Sequence, residues 1–264
     1  MPAGLPGAHR SRQRGTTGEF TEYRPYRQGD EPRRIDWRLL ARSDRAFVRL
    51  ADDHALLPTV LVVDATASMA FPEDTRAKWR LARDVALGCA AVSLRMADPV
   101  GLVTCAATGA RRLAPRSRAG TLGELARTLD EARLGGSASL AGAVGAVAPG
   151  ARLVIVSDFL GDADDARRAA AAHVAAGGEV HAVHVVSEEE LSPPAGVLAV
   201  DPEDEETARP LLGGARAEYL ARFAEWRAEL ARAWREAGAA YVQLVTDERP
   251  AAAVRRVVGG PAQG

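Results

Sequence analysis

Apolar residues along this chain fall into short unbroken runs that alternate with longer, helically spaced stretches. Val60 to Val63 is one such run, and it stops at Asp64. Leu153 to Val156 is another, closed by Ser157 and Asp158. A short run without a polar break is the pattern of a strand buried on both faces, as in a parallel sheet. Strands are expected over residues 57–63, 99–105, 153–156, 179–186 and 239–245, with a weaker one at 111–114 and a short one at 45–50. Helices are expected over 76–96, 121–132, 140–147, 163–176, 215–237 and 250–258. In the second of these, Leu122, Leu125, Ala126 and Leu129 share a face. Gly177-Gly178 and Gly238 close two others in the manner of glycine C-caps. The alternation predicts an α/β fold, a mostly parallel sheet with helices on both faces.

The ends of the chain read differently. Residues 1–17 are rich in Gly, Pro, Arg and Ser and are expected to be a flexible N-terminus. Residues 18–56 are too short to bury a core and are expected to pack as an extension on the sheet domain, 57–258, with 259–264 as a tail.

The strand ends carry the candidate chemistry. After Asp64 a hydroxyl follows at every second position, Thr66 and then Ser68. Gly135-Gly136-Ser137-Ala138-Ser139 is a glycine turn bearing two hydroxyls, and Asp158 closes the second buried strand. Open α/β sheets bind ligands in the crevice at the carboxyl ends of their strands. Three loops are therefore expected to bring Asp64, Thr66, Ser68, Ser137 and Asp158 around one ion. An oxygen-only donor set suits Mg²⁺ or Mn²⁺, with Ca²⁺ as a third option, rather than zinc or copper.

Composition narrows the alternatives. The net charge is −1 and the pI about 6.5, so nothing global calls for nucleic acid. Eleven arginines lie between residues 10 and 49, and eight acidic residues between 187 and 206. Both runs read as solvated surfaces, with partner docking as the sharper option. Lys78 is the only lysine among 34 basic residues, which reads as codon bias rather than chemistry. Cys89 and Cys105 sit in apolar surroundings without metal-site spacing, as free core thiols do in a reducing compartment. His181 and His184, three apart in one strand, face opposite sides and do not chelate one ion. No signal peptide and no bilayer-length apolar run is visible, so a cytoplasmic location without a membrane span is expected. There is no P-loop, no Gly-x-Ser-x-Gly elbow, and no evident general base. Asp30 and Asp36 read as structural, in a turn and in an arginine pair, with Trp37 as an anchor, and Asp162, Asp164 and Asp165 suit the start of the helix after Asp158.

Two resemblances follow from these residues. Asp64-x-Thr66-x-Ser68 with Ser137 and Asp158 resembles the metal-ion-dependent adhesion site of von Willebrand factor A domains, with Thr66 for a Ser and Ser137 for a Thr. Gly18, Phe20, Arg24, Tyr26, Gly29-Asp30 and Arg34-Ile35-Asp36-Trp37, then Ala41-Arg42, are similar to the signature of the bacterial family called domain of unknown function 58. Together they imply a von Willebrand factor A-like (Rossmann-like) core with an N-terminal extension. The second also implies an association with MoxR-type AAA+ ATPases.

Three functions compete. The first is a non-enzymatic, metal-ion-dependent protein-interaction module, in which an acidic side chain of a partner completes the ion's shell. It would work with a MoxR-type ATPase in protein assembly or remodelling. The second is a Mg²⁺-dependent hydrolase, for which no residue stands out as base. The third is a scaffold with a vestigial ion site. The interaction module ranks first.

Overall fold

The structure is a computed structural model that describes residues 20–27, 30, 35–43, 45–51, 56–106, 108–136, 139–194, 198–201, 204–210 and 214–259. The chain divides into two compact units, Met1–Leu56 and Leu57–Gly264.

In the first unit, β1 (Phe20–Pro25) pairs antiparallel with β2 (Phe47–Ala51), and α1 (Trp37–Ser43) lies between them in sequence. Only the second strand was expected. The two aspartates of this segment are structural. Asp30 accepts from Arg24 Nη2 at 2.7 Å and from the Arg27 amide at 2.8 Å. Asp36 caps α1, its Oδ1 accepting from the amides of Arg38 and Leu39, both at 3.0 Å. Trp37, expected as an anchor, is 61% exposed.

The second unit holds a six-stranded sheet. Its strands are β3 (Thr59–Asp64), β4 (Val100–Ala106), β5 (Gly109–Arg116), β6 (Arg152–Ser157), β7 (Glu179–Val186) and β10 (Ala240–Val245). The order across the sheet is β10-β7-β6-β3-β4-β5. All neighbours are parallel except β4 and β5. β5 begins three residues after β4 ends, which leaves room for a hairpin and none for a crossover. It is an edge strand, exposed along most of its length, that carries Arg111, Arg112 and Arg116, charges that discourage pairing with another sheet.

Helices α2 (Ala77–Arg95), α3 (Thr121–Asp130), α4 (Leu140–Gly145), α5 (Ala163–Ala175), α6 (Glu188–Leu191), α7 (Gly214–Glu236) and α8 (Pro250–Val258) complete the unit, with an antiparallel pair β8 (Leu198–Asp201) and β9 (Asp204–Pro210). α6 and the β8–β9 pair were not expected. Alternation along β3 builds two cores. Leu61 and Val63 pack with α2, α3 and α8 through Leu81, Val85, Leu125 and Val257. Val60 and Val62 pack on the other face with α4, α5 and α7 through Leu140, Ala166 and Trp234. The expected α/β class is thus what the chain adopts, a mostly parallel sheet with helices on both faces.

One feature of this topology places the site. The chain runs from β3 outward to β4 and β5, then returns to lay β6 on the other side of β3. Such a reversal opens a crevice at the carboxyl ends of the two strands. Those ends are Asp64 and Ser157-Asp158.

Candidate functional site

Four of the five expected residues meet in that crevice. Asp64 Oδ1 accepts from the Thr66 amide at 2.9 Å. Thr66 Oγ1 and Ser68 Oγ are 3.3 Å apart, and Ser68 Oγ donates to Asp158 Oδ1 at 3.2 Å. The loop after β3 reaches this geometry because residues Ala67–Ala70 wind into a 3₁₀ turn that folds both hydroxyls back over the strand end. All four residues are buried, with 2–7% of each exposed. Ser137 lies outside the described residues. Its neighbours are tied to the first loop: the Gly135 amide donates to Ala65 O at 3.0 Å, and the Ala67 amide to Gly136 O at 3.2 Å. Gly136 holds φ at 67°, a left-handed conformation that glycine adopts at little cost.

Three residues at the site were not read from sequence as belonging to it. Ser157 donates from Oγ to Asp64 Oδ2 at 2.6 Å and accepts from the Phe159 amide at 2.9 Å. Lys78, in the first turn of α2, reaches Asp158 Oδ2 at 2.8 Å and Glu190 Oε1 at 2.6 Å. The lone lysine therefore has an electrostatic role, which corrects its reading as codon bias alone. Glu190, in α6, is correspondingly not a solvated member of the acidic run. Its Oε2 also accepts from the Ser187 amide at 2.7 Å, closing a capping box. Ser157 could have been suspected from its place beside Asp158 on a strand neighbouring β3. Lys78 offered only its uniqueness in an arginine-rich chain.

Asp162 also departs from expectation. It sits at the start of α5 but does not cap that helix. Its carboxylate crosses to α4, accepting from Ser139 Oγ at 2.8 Å and from the amides of Ala141 and Leu140 at 3.2 and 3.3 Å. The positive end it serves is thus that of another helix. Ser139, the second hydroxyl of the glycine turn, is engaged as this cap and accepts from the Gly142 amide.

The electrostatics follow from burial. The Asp64 carboxyl is pushed up to about 6, first by burial and then by the charge of Asp158, while bonds from Ser157 and Thr66 pull it back. Burial alone would push the Lys78 ammonium down, but Asp158 and Glu190 outweigh it and the net direction is upward. Burial raises the Glu190 carboxyl, and Lys78 opposes this without cancelling it. Beneath the cluster, His184 is closed in by Tyr241, Phe159 and Trp226, with Nδ1 2.6 Å from Tyr241 Oη. Burial pushes its ring down to about 3, so it is neutral at neutral pH.

Asp64, Thr66, Ser68 and Asp158 are the residues that could hold a divalent ion. The donors are oxygens, and Lys78 holds Asp158 Oδ2 while Oδ1 turns toward the hydroxyls. Three carboxyl groups, Asp64, Asp158 and Glu190, share one ammonium in this buried cluster, and after burial itself the charge of Asp158 is the next cause that raises the Asp64 carboxyl. Among the described residues, no group of three or more His, Cys, Asp and Glu is placed to hold a metal ion by itself, so the hydroxyls are needed to complete any shell.

The family described as "Protein of unknown function DUF58" matches residues 22–229. An uncharacterized protein of Mycobacterium bovis is 32% identical over 277 aligned positions, covering 98% of this chain and 84% of that protein. An uncharacterized Mycobacterium tuberculosis protein matches to the same extent. Among solved structures, an aerotolerance-related membrane protein of Bacteroides fragilis aligns at a TM-score of 0.48 and 15% identity, over 77% of this chain and 97% of that one. The SpRpn10 VWA domain aligns at 0.46 and 12%, over 80% and 98%.

Proposed function

The chain belongs to the DUF58 family, and from that premise we propose that it is a non-enzymatic protein-interaction module that presents the strand-end cluster to an acidic side chain of a partner. The carrying observation is the convergence of Asp64, Thr66, Ser68 and Asp158 in one hydrogen-bonded chain at the switch point of the sheet. These four residues, with Ser137 as a fifth, would hold a Mg²⁺ or Mn²⁺ ion. Such an ion, when bound, offers a coordination position that an external carboxylate can fill. The protein's part is to fix the donors before the partner arrives, through Lys78 on Asp158 and Ser157 on Asp64.

A hydrolase reading has less support. His184 feels the charge of Asp158, but it is 1% exposed and bonded to Tyr241. A group pushed down to about 3 is a weak base at neutral pH. No helix of the described residues is long and apolar enough to cross a membrane. The two buried free cysteines are in keeping with a reducing, cytoplasmic setting. Association with a MoxR-type AAA+ ATPase, in assembly or remodelling of other proteins, is part of the proposal and rests on the family resemblance.

The test is calorimetry of the full chain with Mg²⁺ and Mn²⁺, paired with capture of a MoxR-type ATPase in ion and in chelator. With only two anionic donors on the ion, dissociation constants on the order of 0.1–1 mM are expected. Asp64→Asn and Asp158→Asn should abolish the heat. Unchanged binding heat in both variants, or no heat at 10 mM ion (about tenfold above that range), would refute the ion site. Chelator should release a partner held at the cluster and spare one held by arginines alone, which high salt should weaken instead.

A further inference from the structure

Two large apolar side chains stand exposed on the loops that carry the cluster. Phe71 closes the turn after Ser68, its amide donating to Ser68 O at 3.3 Å. Leu160 follows Asp158 by two residues, its amide donating to Asp158 Oδ1 at 3.3 Å. Phe71 is 37% exposed and Leu160 is 45% exposed. The Phe71 ring centroid lies 5.7 Å from Lys78 Nζ, and that nitrogen is 2.8 Å from Asp158 Oδ2. Phe71 thus lies over the ammonium that pairs with Asp158, and the Leu160 backbone bonds that carboxylate directly. The apolar residues that anchor these loops are different ones, Met69 and Phe159, which are 0% and 2% exposed.

We propose that Phe71 and Leu160 form an apolar rim around the cluster, and that the site takes a partner segment in which a single acidic side chain stands next to a large apolar one. This rests on the reading that the cluster receives a carboxylate. A buried charged contact gives orientation, yet its desolvation cost offsets much of its attraction. Apolar contact at its border supplies affinity that does not depend on direction. The charges nearby argue against an acidic run as the ligand. Glu73 and Asp74, both exposed, follow Phe71 on the same loop and would repel further negative charge.

The experiment uses the full chain in saturating Mg²⁺ and three capped dipeptides, N-acetyl-Asp-Leu-amide, N-acetyl-Asp-Ser-amide and N-acetyl-Asn-Leu-amide. Binding is followed by ligand-detected NMR. Asp-Leu should bind about three- to tenfold tighter than Asp-Ser, the range for partial burial of one leucine side chain. Phe71→Ser and Leu160→Ser should remove that preference while Asp-Ser binding and the Mg²⁺ heat stay unchanged. Leu160→Met should retain it. Equal binding of Asp-Leu and Asp-Ser, or a preference that survives in the double variant, overturns the rim. Asn-Leu binding as well as Asp-Leu, or no binding by any of the three, overturns the carboxylate reading and the rim with it. The Mg²⁺ titration then reports independently whether the ion site stands.

Discussion

Lys78 and Asp158 form an ion pair of 2.8 Å with 1% and 3% of their side chains exposed, and the same ammonium reaches Glu190 at 2.6 Å. The pair joins the first turn of α2 to the end of β6 and, through Glu190, to α6. One side chain thereby ties three elements together at the site. It also decides which carboxylate oxygen faces the hydroxyls, because Oδ2 is occupied by the ammonium.

Removing the ammonium should therefore be costly. Lys78→Met leaves two buried carboxylates without their cation, and breaking a buried pair in this way costs about 3–5 kcal/mol. Urea unfolding monitored by tryptophan fluorescence measures it. A loss below about 1 kcal/mol, the range of exposed pairs, would show that water screens the site.

Ser157→Ala removes the hydroxyl that donates to Asp64 Oδ2. A buried carboxylate oxygen left without its donor should cost about 1–3 kcal/mol of stability. The same change should weaken Mn²⁺ binding in calorimetry, since the donor orientation is lost. Unaltered stability and unaltered binding together would mean that Ser157 is a bystander.

Asp162→Ala should destabilise by about 0.5–2 kcal/mol, the range for loss of a helix cap. The effect belongs to α4, not α5. Hydrogen exchange should accelerate at the amides of Leu140 and Ala141, which the carboxylate now covers. Faster exchange confined to the first turn of α5 would contradict the crossing contact.

Two buried groups give the stability curve opposing slopes with pH, measured in chelator. The His184 ring is held down to about 3 from its ordinary 6.5. Its contribution is full above about 6.5 and is lost as pH falls toward 3, because the unfolded chain takes up the proton first. Asp64 is raised to about 6 from 3.8, so its contribution is present below 3.8 and lost as pH rises through 6. Between pH 6 and 4 the two nearly cancel. His184→Gln should unmask Asp64, and stability should rise on acidification across that window by up to about 1.4 kcal/mol per unit. A parallel pH dependence in wild type and variant would show that His184 is not held neutral.

The sheet was legible because its central strands are buried on both faces, and uninterrupted runs such as Val60–Val63 have few other readings. The strand-end position of Asp64 and Asp158 followed from those runs, and so did most of the site. The missed elements are ones whose partners are distant or whose pattern is short. β1 sets its two aromatics three apart without alternation, β9 is mostly polar, and α6 spans four residues defined by a cap rather than by periodicity. Lys78 lies 80 positions from Asp158 in sequence, and nothing local to Ala77-Lys78-Trp79 announces where an ammonium will land. Asp162 misled for a related reason. Its place at the head of α5 suggested a local cap, whereas the folded chain offered the nearby start of α4.

The solitary lysine has a practical consequence. Apart from the α-amino group, Lys78 supplies the chain's only primary amine, and it is enclosed. An acylating reagent applied to the folded protein should modify the α-amino group alone, giving a singly labelled product. Slow acylation of Lys78 over longer exposure, read by peptide mass, then becomes a clock for the opening of the cluster. A ligand that closes the crevice should slow that clock.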